Sequence, residues 1–107
     1  MTKEIEQEIQ KITQRIIEKY KPEKIILFGS YAWGKPEKSS DVDLFIVKNS
    51  KKERRFRTTD VERIIRGRNL PVDILVYTPA EVKKRIFLGD FFVKRIFSEG
   101  KSLYEKK

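Results

Sequence analysis

Two short runs of this sequence, "DVDLFIV" from Asp41 to Val47 and "PVDILVY" from Pro71 to Tyr77, share the pattern that most constrains its fold. Both are rich in β-branched, aromatic and aliphatic residues, as strands are, and both place a carboxylate at the third position. A third run, "KIILFG", has the same apolar character and stops at Gly29. Side chains alternate along a strand, so Asp41 and Asp43 share one face, about 7 Å apart along the chain. Val42, Leu44 and Ile46 take the other face and belong to a core. A fold containing these strands must therefore bring carboxylates to the margin of an apolar sheet.

Between the strands the apolar spacing changes to three and four. Ile5, Ile9, Ile12, Ile16, Ile17 and Tyr20 form the stripe of an amphipathic helix, which Pro22 ends. Residues 52 to 67 read as a second helix with Phe56, Val61, Ile64 and Ile65 turned inward. Thr59 and Glu62 match a capping box, so a loop followed by a shorter helix is the alternative. Thr78-Pro79 has the form of a cap followed by proline at the first helical position, opening a helix to about Leu88. "DFFVKRIFSEG" makes a last amphipathic helix ending at Gly100, with most of Phe91, Phe92, Ile96 and Phe97 in core. "KSLYEK" adds a short edge strand.

Strands alternating with helices predict an α/β (α+β) sandwich around a small sheet of three to four strands. Bringing Gly29-Ser30 to the start of the second strand makes the first two strands antiparallel. Bringing Asp73 beside Asp41 and Asp43 makes the second and third parallel, joined through the helix between them. The expected sheet is mixed.

The 107 residues are expected to form a single domain spanning 1–107. There is no cysteine and no histidine, which excludes thiolate catalysis, histidine general bases and Cys/His metal sites. Chemistry is left to carboxylates, hydroxyls, Lys, Arg and backbone. The net charge of +9 suits nucleic acid, triphosphates or an acidic protein partner. The charged start "MTKEIEQEIQ" and the lack of a long apolar run predict no membrane association and a cytoplasmic location.

Two carboxylates about 4 Å apart repel by roughly 4 kcal/mol at an effective dielectric of 20. Converging Asp41, Asp43 and Asp73 would need a cation, and oxygen-only ligands select a hard ion, Mg²⁺ or Mn²⁺. The plainer alternative makes Asp41 a cap, with Lys or Arg neutralising Asp43 and Asp73. Upstream, Gly29-Ser30 follows a strand and precedes the short apolar turn "YAWG". Glycine lets backbone approach a phosphate, and Ser30 offers a hydroxyl and an N–H. Taken alone, that pair is only a turn. In combination with Gly34 and then Ser40-Asp41-x-Asp43, it favours the metal reading.

The full stretch "GSYAWGKPEKSSDVD", Gly-Ser-x3-Gly-x5-Ser-Asp-x-Asp, resembles the hallmark of minimal nucleotidyltransferases of the DNA polymerase beta superfamily. Asp73 resembles their later strand aspartate and "EGKSLYEK" their usual ending, so the resemblance covers essentially the whole chain. It implies the nucleotidyltransferase fold, with Gly29, Ser30 and Ser40 at the nucleotide. Gly29 and Ser30 would hold the β- and γ-phosphates. Asp41 and Asp43 would bind two metal ions, and Asp73 the catalytic one, helping to take a proton from an attacking hydroxyl. Trp33 departs from the pattern, since many relatives carry Arg there. Lys35 is the nearest substitute, and Trp33 is expected to pack the turn.

Members this small commonly pair with a helical HEPN-type protein as its antitoxin, which implies transfer of AMP from ATP to that partner's hydroxyl. The alternatives are a non-catalytic nucleotide- or partner-binding antitoxin, and nucleotidyl transfer to an RNA end. Homo-oligomerisation is left open. The basic segment "KNSKKERRFR", Lys48 to Arg57, is either a solvated helix face or a docking surface for an acidic partner or RNA.

Overall fold

A computed structural model describes residues 1–37 and 40–107. Ser39, within the stretch "GSYAWGKPEKSSDVD", lies outside the described residues. The chain runs α1 (Lys3–Tyr20), β1 (Lys24–Phe28), α2 (Ser30–Trp33), β2 (Val42–Val47), α3 (Arg54–Ile64), β3 (Val72–Tyr77), α4 (Pro79–Phe87), α5 (Phe91–Glu99) and β4 (Lys101–Glu105). Local chemistry accounts for most boundaries. Thr2 caps α1 by accepting from the Ile5 N–H at 3.2 Å, and Lys21 closes it in the left-handed region with φ 52°, just before Pro22.

The four strands lie in the order β3-β2-β1-β4. β1 pairs antiparallel with β2 and with β4, while β2 and β3 are parallel. The sheet is therefore mixed, with β3 at one edge and "KSLYE", β4, at the other. α1 and α3 cover one face, where Ile9, Ile12, Ile16, Val61 and Ile65 meet Ile25, Leu27, Leu44, Ile46, Ile74 and Val76. α4 and α5 cover the other, where Val82 and Ile96 meet Ile26, Phe28, Phe45 and Val47. Among the described residues, no helix is long and apolar enough to cross a membrane.

Three expectations are corrected. Phe56 is 48% exposed, and Arg57 takes the inward position instead, in phase with buried Val61 and Ile65 at i+4 and i+8. The guanidinium satisfies itself there. Nε donates to the Lys52 carbonyl at 2.8 Å and Nη1 to the Val76 carbonyl at 2.9 Å, while Nη1 and Nη2 bond the Glu81 carboxylate at 2.7 and 3.1 Å. Thr59 does not start a helix, because its hydroxyl donates to the Arg55 carbonyl within α3. The capping box belongs to Thr78 and Glu81, at the start of α4. On α5, Ile96 is buried and Phe97 half-buried, but Phe91 and Phe92 are exposed, so only half of the four expected core residues lie in the core.

Candidate active site

Asp43 is the second residue of β2 and Asp73 the second of β3, and the parallel register pairs them directly. Neighbouring strands are about 4.8 Å apart, so the two carboxylates start from adjacent positions. In β2, Asp43 alternates with Phe45 and Val47; in β3, Asp73 alternates with Leu75 and Tyr77. Those partners pack on the face covered by α4 and α5. The two aspartates therefore stand on that face, at the strand ends where Asp73 is exposed and Asp43 half-buried. Asp41 lies two residues earlier on the same alternation, outside the ladder and exposed.

Across the sheet, Asp43 is the antiparallel register partner of Phe28, the last residue of β1. Gly29 follows with φ 76° and ψ −156°, a region that only glycine occupies at low cost. A Cβ built at this position would run into the Asp43 carboxylate. Gly29 is thus required twice over, by its backbone angles and by the side chain it faces. In the short turn that follows, the Ala32 and Trp33 N–H groups donate to the Gly29 carbonyl at 2.9 and 3.0 Å. The N–H groups of Ser30 and Tyr31 stand before these bonds, at the open end of the turn.

The electrostatics match the geometry. Burial, then the charge of Asp73, then that of Asp41 push the Asp43 carboxyl from 3.8 up to about 6. No lysine or arginine pairs with Asp41, Asp43 or Asp73 among the described residues. The reading in which these charges are simply neutralised by basic side chains is not met there. Nor do three acidic side chains form a ready metal-holding group among the described residues. The sheet brings Asp43 and Asp73 side by side and leaves Asp41 at their flank. All-oxygen donors, set so that the charges of Asp73 and Asp41 raise the Asp43 carboxyl, suit a hard divalent ion.

Ser40 is placed differently from the other motif residues. Its hydroxyl accepts from the Glu37 N–H at 2.9 Å, and its own N–H donates to the Glu37 carbonyl at 3.0 Å. These bonds tie Ser40 to Glu37, immediately before Asp41. Trp33 packs on Phe28 with ring centroids 6.1 Å apart, and Arg95 lies 4.2 Å above it. Lys35 is exposed.

The basic run 48–57 lies beyond the opposite end of β2, away from the aspartates. Much of it is tied into the fold: Lys48 Nζ donates to the Tyr20 carbonyl at 2.6 Å, Lys52 pairs with Asp60 at 2.8 Å, and Arg54 stacks on Tyr77 at 4.1 Å. At the aspartate end stands a different basic group. Arg63, Arg66 and Arg68, the last paired with Glu62 at 3.0 Å, line an open hollow of about 750 Å³ that reaches Pro71, two residues before Asp73. These arginines are spread through "VERIIRGRN", so no dense charge run marks them in the sequence.

Residues 9–103 match the family described as "Nucleotidyltransferase domain". The chain belongs to that nucleotidyltransferase family. The fold is also similar to the crystal structure of a Sulfolobus solfataricus protein provisionally designated a nucleotidyltransferase, with a TM-score of 0.65 and 21% identity. That likeness covers 94% of this chain and 79% of the other. No curated protein matches the sequence significantly. Nucleotidyltransferases generally use an NTP and a divalent metal.

Proposed function

We propose that this chain transfers a nucleoside monophosphate from an NTP to a hydroxyl, with Asp41, Asp43 and Asp73 as its catalytic and metal-holding residues. The observation that carries this reading is the in-register pair Asp43–Asp73, set against backbone that is bare of Cβ at Gly29. Gly29 and Ser30 would receive the β- and γ-phosphates, because the chain there is unshielded and offers N–H groups. Asp41 and Asp43 would hold the divalent cation, Mg²⁺ or Mn²⁺, with Asp73 joining them. That ion supplies positive charge to the triphosphate and to the attacking oxygen.

Asp73, exposed on the edge strand β3, would accept the proton of the incoming hydroxyl. The hydroxyl oxygen forms a bond to the α-phosphorus as the bond to pyrophosphate breaks, and pyrophosphate leaves. In the finer reading the nucleotide is ATP and the acceptor a protein hydroxyl. The partner is a HEPN-type helical protein, for which this chain is the cytoplasmic antitoxin. Its support is the resemblance of the Gly29–Asp43 motif to that of minimal nucleotidyltransferases. The hollow lined by Arg63, Arg66 and Arg68 favours a second reading, transfer to an RNA end.

The test is transfer of label from α-phosphate-labelled ATP, with Mn²⁺ or Mg²⁺, to co-purified protein and to RNA. Label on protein, absent with Asp41→Asn/Asp43→Asn, is the expected result. Label on RNA would replace the acceptor assignment with the second reading. No label on either, with equal nucleotide binding by wild type and mutant, would overturn catalysis by these residues.

A further inference from the structure

The corner between α4 and α5 exposes five large apolar side chains within seven residues. Phe87 is 88% and Phe91 85% exposed, and Ile86, Leu88 and Phe92 are exposed beside them. Contiguous apolar surface of this kind marks an interaction site. Its position gives it meaning. Phe92 stacks edge-on against Phe28 with centroids 5.6 Å apart, and Phe28 is the register partner of Asp43. α4 leaves the far end of β3 and runs back for nine residues, roughly 13 Å, most of the length of that strand. The apolar corner therefore stands beside the carboxylate edge.

On α4 and α5 themselves, the charge left unpaired around the corner is of one sign. Their three acids are engaged internally: Glu81 with Arg57, Asp90 with Arg85 and the Val93 N–H, and Glu99 with Arg95. Lys83, Lys84 and Lys94 are exposed and have no ion-pair partner among the described residues. In a two-fold dimer through this patch the same cationic rim would face itself, which disfavours a second copy as the occupant. We propose that the Ile86–Phe92 corner docks the acceptor, a protein that presents an apolar patch flanked by carboxylates and offers its hydroxyl to the Asp43–Asp73 edge. The proposal rests on the nucleotidyl-transfer reading for the role of the docked protein, but the docking surface can be tested without it.

The probes are two designed amphipathic helical peptides, each with a Leu/Phe stripe and one tyrosine, one flanked by Glu and the other by Lys. Binding to the full chain is measured by fluorescence anisotropy, and label transfer from ATP is scored separately on the same samples. The Glu-flanked peptide is expected to bind, and Phe87→Ser/Phe91→Ser to weaken it roughly 30-fold or more. These residues are almost fully solvated, so the thermal midpoint should not move. Lys83→Glu/Lys84→Glu/Lys94→Glu should reverse the preference toward the Lys-flanked peptide, a change that non-specific stickiness would not produce. Asp43→Asn should abolish transfer and leave binding intact.

Binding through the patch without transfer by wild type would sustain the docking surface and count against the transfer reading. Equal binding of both peptides, or binding insensitive to the Phe87/Phe91 change, would overturn the proposal. So would a dimer dissociated by Phe87→Ser/Phe91→Ser, or preferential capture of the corner by anionic phosphatidylglycerol vesicles.

Discussion

Asp43 concentrates the conflict at residue scale. It is the second residue of a strand whose other residues are core, lies beside Asp73, and has Gly29 backbone pressed against its carboxylate. With its carboxyl pushed up to about 6 in the fold against 3.8 unfolded, the folded state binds the extra proton between those values. Stability from this group is present below about pH 4 and is lost as pH rises through about 6. A two-unit shift would correspond to about 3 kcal/mol, but solvent reaches Asp43, so about 1 kcal/mol is the reasonable expectation. Metal-free Asp43→Asn should therefore be more stable than wild type at pH 7.5, and the gain should shrink toward pH 4. Urea unfolding across that range checks it. A destabilised Asp43→Asn at pH 7.5 would mean that the carboxylate is held by favourable partners.

Arg57 links elements. It fastens α3 to the β3 backbone through Val76 and to the first turn of α4 through Glu81, which also accepts from the Thr78 N–H at 2.8 Å. The Arg57 hydrogen bonds, chiefly, hold the Glu81 carboxyl down at about 2 against 4.5. That stability is present above about pH 4.5 and is lost as pH falls toward 2. Removing one member of a buried pair strands the other, though Glu81 is partly solvated. Arg57→Ala should cost about 2–3 kcal/mol at pH 7 and less at pH 3. Equilibrium unfolding at the two pH values reads the difference, and an equal loss at both would assign the effect to lost packing alone.

At the scale of the whole molecule, the site is an edge shared by three strands, so a ligand that binds it binds only the folded chain. Mn²⁺ with a non-hydrolysable ATP analogue at a hundredfold excess over Kd should stabilise by about 2.7 kcal/mol. That would raise the thermal midpoint on the order of 10 °C. Asp41→Asn/Asp43→Asn should lose the shift. An undiminished shift in that variant would place the nucleotide elsewhere.

What the sequence alone determined were features written in local chemistry. The isoleucine period specifies α1, Pro22 its end, Thr78-Pro79 the start of α4, and the paired x-Val-Asp runs two strands with their carboxylates on matching positions. Requiring the polar residues to meet was enough to infer the mixed sheet. Only the tertiary structure decided which amphipathic face met which neighbour. Apolar spacing favours Phe56 for the core, yet Arg57 is buried because Val76 and Glu81, distant in sequence, satisfy its guanidinium. Phe91 reads as core by composition, yet it is exposed because the sheet beneath α5 is already filled by Phe28, Phe45, Ile96 and Phe97. The dense basic run proved to lie at the wrong end of the sheet for the site, while scattered Arg63, Arg66 and Arg68 lie at the right one. Hydrogen bonding and capping act over three or four residues and leave their mark in the chain. Partner choice across a sheet depends on residues tens of positions apart and has no local mark to read.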